Sequence, residues 1–453
     1  MGSRTTCCSR VGHGGLHLPK TLSESLKLFV VLEPHPVGRA YLPPHRGLNG
    51  VAAMVPSDLF RASTLILFIA ASVAHAAPPT HPIIQELQAN NSEVFPGGMN
   101  GQPPESIYFG YGLAMDGNTI FAGEPQAIPA SVAVFTRSSA TSPWARSATL
   151  HSPSKSPNSD FGQDIALSGG AALIASAESV YVYRHDSSGW HRTQRVAPPS
   201  SDDLATFPIA LALHGSTAVI TGSDAHGGIA YVYALKSDGT LSFKARLRSL
   251  TGDPNDQFGA SVAALDNTIA IGAPGLQSAF VFSQSEGHWT RTQQVEPVDS
   301  SRADGFGVSV ALEGGMLVVG APDALREGTT GELQSGAAYV FYKTSGVYAQ
   351  KGVLHPGPNE HSDYEEYGRI VRLTHDRLVV WGHQELIFPM GCCESLAFTY
   401  QRSGSAIEPL GIARGFWGTW NIATDGKQLI VAGDEGRQYF VGHAFVYDIR
   451  TTE

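Results

Sequence analysis

Short apolar runs alternate with turn-forming residues along the chain from Phe109 onward. In the clearest stretch, residues 306–322 read FGVSVALEGGMLVVGAP, and two β-rich runs flank the pair Gly314-Gly315. Apolar runs of this length rich in Val are typical of strands, and a glycine pair between them is typical of a tight hairpin. The pattern therefore predicts an antiparallel hairpin over 306–322.

The same unit occurs seven times, which is the most informative property of the sequence. Each copy opens with an aromatic residue, usually followed by Gly, and successive openers lie 46 to 61 residues apart. A regular period near fifty residues indicates one supersecondary unit repeated along the chain. The openers are Phe109, Phe161, Phe207, Phe258, Phe306, Tyr367 and Trp417.

Each copy carries enough β-rich sequence for four strands. After the hairpin comes a run with two aromatic residues two positions apart, such as Tyr339 and Phe341, and then a run with alternating polar residues that often begins with Trp, as at Trp289. Four-stranded units repeated seven times predict an all-β fold, a seven-bladed β-propeller of four-stranded antiparallel blades. A parallel β-solenoid is the structural alternative.

Ring closure has its own sequence signature. The last copy ends soon after Phe445-Val446-Tyr447, which is a third strand, so its fourth strand must come from elsewhere. The segment Pro82–Leu87 precedes the first copy and has the character of a fourth strand. We expect this N-terminal strand to close the last blade, because closing the ring leaves no end blade with an uncovered face.

The repeats resemble the FG-GAP family. The resemblance rests on Phe306-Gly307 with Gly320-Ala321-Pro322, and on the matching residues 258–259 and 272–274 of the fourth copy. It implies the seven-bladed propeller found at the N-terminal end of integrin α subunits and in many secreted bacterial proteins. Several integrin blades bind calcium in acidic loops. The corresponding loops here lack alternating acids followed by Gly, so we expect no cofactor and no conventional calcium site, although calcium stays open as an alternative.

Composition and charge narrow the list of partners. The chain has 42% hydrophobic and 15% charged residues, a net charge of −10 and no block of basic residues in the repeats. Phosphate contacts need clustered Lys and Arg, so we expect no nucleic-acid partner. We expect a monomer.

The N-terminal part predicts export. An apolar run at 65–74 precedes Ala74-His75-Ala76, which has the form of a signal-peptidase site, so cleavage is predicted before Ala77. A start at Met54 would make 54–76 a signal peptide of normal length, with 1–53 a non-native, disordered upstream extension and 77–453 the propeller. A start at Met1 and an uncleaved membrane anchor remain the alternatives. The protein is accordingly expected to be secreted, periplasmic or held at the cell surface.

The residues that could carry chemistry are few. Of the four cysteines only Cys392 and Cys393 follow the predicted cleavage site, as two thiols or a strained vicinal disulfide. No catalytic or phosphate-binding motif occurs, so no catalytic residue and no metal ligand is assigned. Rim loops of propellers commonly carry recognition. Acid, imidazole and guanidinium groups in these loops give the candidate ligand-binding residues Asp224, His226, Arg326, Glu327, His355, His361 and Asp363.

Three functions are compatible with these features. The leading hypothesis is a non-catalytic binding or adhesion module that recognises an extracellular protein or carbohydrate through loops on one rim. The alternative is an enzyme, a hydrolase or lyase, whose active site lies at the mouth of the central channel. A calcium-dependent adhesion module with atypical loops is the third.

Overall fold

The computed structural model describes residues 79–89, 108–154, 156, 159–199, 204–249, 251–328, 331–356, 364–386, 392–415, 418–434 and 442–450. All of them lie in the compact unit Ala77–Glu453. The predicted upstream extension, the predicted signal peptide and the seventh opener, Trp417, lie outside the described residues. In the described part of the chain, no helix is long and apolar enough to span a membrane.

Among the described residues, twenty-nine strands form seven antiparallel blades and two more form an inserted hairpin, which confirms the all-β prediction. Blades 1 and 2 contain β2 (Leu113–Asp116), β3 (Thr119–Glu124), β4 (Ser131–Thr136), β5 (Ala145–His151), β6 (Ile165–Ser168), β7 (Ala171–Ser176), β8 (Ser179–Asp186) and β9 (Gly189–Val196). Blade 3 has five strands, namely β10 (Leu204–Thr206), β11 (Leu211–His214), β12 (Thr217–Asp224), β13 (Gly227–Leu235) and β14 (Leu241–Arg248). Blade 4 consists of β15 (Ser261–Leu265), β16 (Thr268–Ala273), β17 (Ser278–Ser285) and β18 (His288–Val295).

Blades 5 to 7 complete the circle. Blade 5 contains β19 (Ser309–Glu313), β20 (Met316–Ala321), β23 (Ala337–Thr344) and β24 (Val347–Leu354), with the inserted hairpin β21 (Leu325–Gly328) and β22 (Gly331–Gln334). Blade 6 contains β25 (Tyr364–Leu373), β26 (Arg377–Leu386), β27 (Cys392–Ser403) and β28 (Ala406–Arg414). Blade 7 joins β29 (Gly418–Thr424), β30 (Gln428–Asp434) and β31 (His443–Asp448) to the N-terminal β1 (Ile83–Gln88).

The first full-length strand of each blade is the innermost, and these seven inner strands contact one another in a closed ring, from β2 through β6, β11, β15, β19, β25 and β29 back to β2. The hydrophobic core lies in layers between neighbouring blades. In the layer between blades 4 and 5, the fully buried Phe306 contacts the rings of Tyr339 and Phe341 at centroid distances of 5.2 and 6.0 Å. The openers of the first six copies each pack on an aromatic residue of the third strand in the same way, so these residues form one packing unit.

Close backbone approach between blades explains the glycines of the repeat. A Cβ built on Gly320 would lie 1.8 Å from the carbonyl oxygen of Gly368 in the next blade, and one on Gly272 would lie 1.9 Å from that of Gly307. Gly307 and Gly368 themselves have φ of +103° and +99°, which side-chain-bearing residues rarely adopt. The Gly of the GAP triplet therefore packs on the Gly of the following FG pair.

The N-terminal segment closes the ring, as the sequence predicted. Strand β1 pairs with β31 from Ile83↔Tyr447 to Gln88↔His443. Just before β1, residues 79–81 lie along β28 of blade 6, where a parallel bridge joins Thr80 to Ile412. The segment therefore fastens two blades.

Reciprocal amide bonds lock the outer strands of neighbouring blades. The Gln85 side chain of β1 donates to the Trp144 carbonyl at 2.7 Å and accepts from the Trp144 amide at 2.8 Å. Gln293 of blade 4 makes the same two bonds, at 2.7 and 2.8 Å, with the backbone of Tyr348 in blade 5. One glutamine thus satisfies both backbone groups of an edge residue across the gap between blades.

We expect Gln293→Ala to lower the free energy of unfolding by about 1–3 kcal/mol, because two hydrogen bonds are lost and a part-buried edge is left unsatisfied. Gln294→Ala is the matched control, since this exposed neighbouring side chain donates only to Ser278 and Glu296 and not to blade 5, and its loss should cost less than about 0.5 kcal/mol. Urea unfolding of the two variants measures the difference. Equal stability of the two variants would contradict the inter-blade role.

A buried cation marks the seam between blades 1 and 7. The Arg137 side chain, 2% exposed, donates to Asp425 Oδ2 at 2.8 Å and to Gln428 Oε1 at 2.5 Å. Its guanidinium also lies 4.3 Å from the centre of the Trp144 ring, and the Trp144 indole donates to the same Gln428 oxygen at 2.9 Å. This network closes the circle on the side of the inner-strand turns.

Candidate functional site

Two faces of the propeller carry different connections. We define the entry face as the one at which the inner strands begin. The connections between blades and the turns between the second and third strands of each blade lie there, because alternate ends of antiparallel strands share a face. The exit face carries the other turns, such as Gly314-Gly315.

The predicted rim residues that the structure describes lie on this entry face, but they are divided between blades 3 and 5. Asp224 and His226 lie at the turn between β12 and β13, Arg326 and Glu327 lie in β21, and His355 follows β24. His361 and Asp363 lie outside the described residues. Their role in binding stays a prediction.

Asp224 has a structural explanation. Its carboxylate accepts from both terminal nitrogens of Arg248 on β14, and its Oδ1 also accepts from the His226 amide at 2.8 Å. The hydrogen bonds from Arg248 are the main cause that lowers the pKa of Asp224 below its ordinary value. The His226 ring is 84% exposed, and its Nδ1 lies 4.0 Å from Asp224 Oδ1. His355 Nδ1 lies 3.2 Å from the Gly336 carbonyl oxygen, so this imidazole contacts the backbone that follows β22.

Insertions at the entry face are concentrated in blades 5 and 6. In blade 5, the stretch Asp323–Gly336 contains the hairpin β21–β22, paired from Leu325↔Gln334 to Gly328↔Gly331. In blade 6, β26 and β27 continue pairing through His383 to Leu386, four positions beyond the level at which the second strand of blade 5 ends. A bridge between Gly336 and Tyr367 joins the two blades at the base of these insertions.

A small charged cluster lies at the base of the blade 6 extension. Glu366 accepts from Arg369 Nη1 at 2.8 Å and lies 3.7 Å from His383 Nε2. Burial lowers the pKa of His383, the Glu366 carboxylate opposes this effect, and the Arg369 charge adds to it. We call the hairpin β21–β22 and the paired segment 383–386/392–395 the blade 5–6 crest.

The central channel is the second candidate. It encloses a cavity of about 310 Å³ between the seven inner strands. Among the described residues that line it, all are aliphatic or Met except Asp164, Arg372 and Thr424. Asp164 and Arg372 belong to blades 2 and 6, which are separated by three blades in one direction around the ring and by two in the other.

Arg372 and Asp164 are held by neutral groups. Arg372 donates from Nε to the Ile422 carbonyl at 3.0 Å, from Nη1 to the Val371 carbonyl at 3.1 Å, and from Nη2 to Asn421 Oδ1 at 2.7 Å. Asp164 accepts from the Leu211 amide at 2.8 Å and from the Ile165 amide at 2.9 Å. These bonds fix both charged groups near the level at which the inner strands begin.

Burial has the largest effect on the pKa of both groups. It raises the pKa of Asp164, while the backbone donors and the charge of Arg372 lower it. Burial lowers the pKa of Arg372, and the charge of Asp164 opposes this. The two charges therefore act on each other through space, but they form no direct ion pair.

Sequence reasoning missed both residues, although the repeat contained the signal. The structural position of Arg372 is occupied by alanine in the other six blades: Ala114, Ala166, Ala212, Ala263, Ala311 and Ala423. A single cation at a position that is alanine in the other copies departs from the repeat pattern, and such departures tend to mark functional or strained sites.

No group of three or more His, Cys, Asp or Glu side chains able to hold a metal ion occurs among the described residues.

The comparison with protein families supports the presence of the repeat. The FG-GAP repeat family model matches residues 289–341. The search of curated proteins found no match. Among solved structures, a protein of Bacteroides uniformis ATCC 8492, provisionally assigned as a 6-phosphogluconolactonase, is similar with a TM-score of 0.46 and 13% identity, over 66% of this chain and 83% of the other. A protein of Lactobacillus plantarum is similar with a TM-score of 0.40 and 12% identity, over 74% of this chain and 94% of the other.

The family match covers the outer strand of blade 4, the opener Phe306 and the first three strands of blade 5, which is one full period of the repeat. The same packing unit recurs around the ring, with an opener against an aromatic pair and glycine against glycine between blades. The chain is therefore a seven-bladed β-propeller that contains an FG-GAP repeat at residues 289–341.

Proposed function

We propose that the protein is an exported, non-catalytic binding module that recognises an extracellular protein or carbohydrate with the blade 5–6 crest. The observation that carries the proposal is the concentration of inserted elements in two adjacent blades on one face. A rigid scaffold that fixes the ends of variable loops is the usual arrangement of a recognition surface.

The channel supports binding over catalysis. An active site needs a nucleophile or base, a group that orients it and donors for the developing charge, all in mutual reach. Among the described residues the channel brings together only Asp164 and Arg372 as charged groups, and both are held by structural hydrogen bonds. This geometry favours recognition at the rim over chemistry in the channel.

The crest offers a direct test. Replacing residues 326–333 by Asn-Gly would leave the pair Leu325↔Gln334 joined by a two-residue turn that hairpins favour. The change removes the tip of the hairpin and leaves the blade 5 sheet intact, so we expect ligand affinity to fall at least tenfold with little change in melting temperature. Binding of the chain from Ala77 to a glycan array and to candidate extracellular proteins measures the effect.

The exit face provides the control. Ser139 and Thr141 are exposed in the connection between β4 and β5, and their replacement by Ala should leave affinity unchanged. A ligand that binds both variants like the unmodified chain would place recognition outside the crest. The glycan and protein arms of the experiment distinguish the two classes of ligand.

A further inference from the structure

The channel has the size and wall of a small-molecule site. Its cavity of about 310 Å³ is at the lower end of typical ligand pockets, which are apolar with a few convergent polar groups. Aliphatic side chains from all seven blades form the wall, and the two charged groups lie towards the entry face. Such a cavity suits a compact ligand with an apolar part and a charged end.

The charged end of the channel is unbalanced at short range. The guanidinium of Arg372 donates to two carbonyls and one amide oxygen, all neutral, and no carboxylate among the described residues forms an ion pair with it. Asp164 accepts only from backbone amides, so no cation contacts it within the described part of the chain. Each group retains hydrogen-bonding capacity, because a guanidinium has five N–H groups and a carboxylate about four lone-pair sites.

Asp164 and Arg372 together determine which ligand charges the channel favours. A simple anion would gain from Arg372 but would meet the negative field of Asp164, and a simple cation would meet the opposite problem. A molecule that carries both an ammonium and a carboxylate matches both groups at once and brings no net charge into the cavity. Charge-assisted hydrogen bonds of this kind are stronger than bonds between neutral groups.

We propose that the central channel binds a small aliphatic zwitterion of the α-amino-acid type, with its carboxylate at Arg372, its ammonium at Asp164 and its side chain along the apolar wall. This site is separate from the blade 5–6 crest, and either can exist without the other. The binding requires no covalent step.

Isothermal titration of the chain from Ala77 with leucine, isoleucine, valine and methionine tests the proposal. We expect saturable one-to-one binding of at least one of them at millimolar concentration or below. The amide of that amino acid, which lacks the carboxylate, and the corresponding deaminated acid, which lacks the ammonium, should each bind at least tenfold more weakly, since losing one charged hydrogen bond costs about 1.5–3 kcal/mol. Absence of binding for all four amino acids would overturn the proposal.

Two variants locate the site. Arg372→Ala restores the residue of the other six blades, and Asp164→Asn keeps an acceptor while removing the charge, as Asn421 does at the matching position of blade 7. Each should weaken binding at least tenfold and retain a cooperative unfolding transition. Unchanged affinity in both folded variants would show that the amino acid binds elsewhere. Equal affinity for the deaminated acid would show that Arg372 acts as a plain anion site, which also contradicts the zwitterion.

Discussion

Removal of the N-terminal segment through Ala89 is expected to abolish most of the folded stability of the propeller. The deletion takes away β1, its pairing with β31, the buried side chain of Leu87 and the Gln85 lock on blade 1. Apolar burial and hydrogen bonds of this number contribute on the order of 5–10 kcal/mol. That is a large part of the 5–15 kcal/mol by which folded proteins are typically stable. The uncovered edge of β31 would also be free to pair with other chains.

Thermal unfolding and light scattering of chains that begin at Ala77 and at Asn90 measure this effect. The longer chain should unfold cooperatively, whereas the shorter one should unfold at much lower temperature or aggregate. Point variants within β1 separate strand pairing from burial: Leu87→Ser should be strongly destabilising, because Leu87 is 2% exposed, and Ile84→Ser nearly neutral, because Ile84 is 47% exposed. The same melting temperature for both chain lengths would show that the ring is stable without the pairing of β1 with β31.

Asp425→Asn is expected to lower the free energy of unfolding by about 3 kcal/mol. The substitution keeps an oxygen able to accept from the amides of Lys427 and Gln428, as Asp425 Oδ1 does at 2.8 and 2.7 Å. It removes the charge that balances Arg137, whose side chain is 2% exposed. Breaking one partner of a buried ion pair leaves an uncompensated charge and typically costs 3–5 kcal/mol.

A double-mutant cycle with Arg137→Met separates the pair from its surroundings. Methionine fills a similar apolar volume, so the double variant should be more stable than Asp425→Asn alone. Denaturant unfolding of the four proteins gives the coupling energy. Purely additive effects would mean that the contact of Arg137 with the Trp144 ring and with Gln428, and not the ion pair, stabilises the seam.

The architecture could be predicted from the sequence because its signals repeat. The spacing of openers such as Phe258 and Phe306, the turn pairs and the missing fourth strand each pointed to a closed ring, and Ile83–Gln88 lies where the missing strand was expected. Because seven copies share the pattern, a strand that is unclear in one copy can be identified from the others. Blade 6 is the exception, since its strands are longer than its copy of the pattern indicated.

The candidate sites were harder to predict because their meaning depends on partners distant in the chain. The sequence around Asp224 indicates only an acid in a loop. In the structure, Arg248 on a later strand of the same blade forms an ion pair with it. Arg372 stands out only when the seven copies are compared at its position, where the other six have alanine. The hairpin within Asp323–Gly336 could not be predicted from the sequence, because its two strands are short and largely polar.

The pairing of β1 with β31 links the order of synthesis to the order of folding. Glu86 and His443, hydrogen-bonded at 2.6 Å, are separated by 357 positions in the chain. A ribosome synthesises Glu86 long before His443, so β1 has no partner strand while blades 1 to 6 form. Pairings between such distant positions carry a high loop-closure entropy and are slow to form. Until that last pairing, the nascent protein exposes unpaired strand edges, and this interval is when it is most vulnerable to self-association and proteolysis.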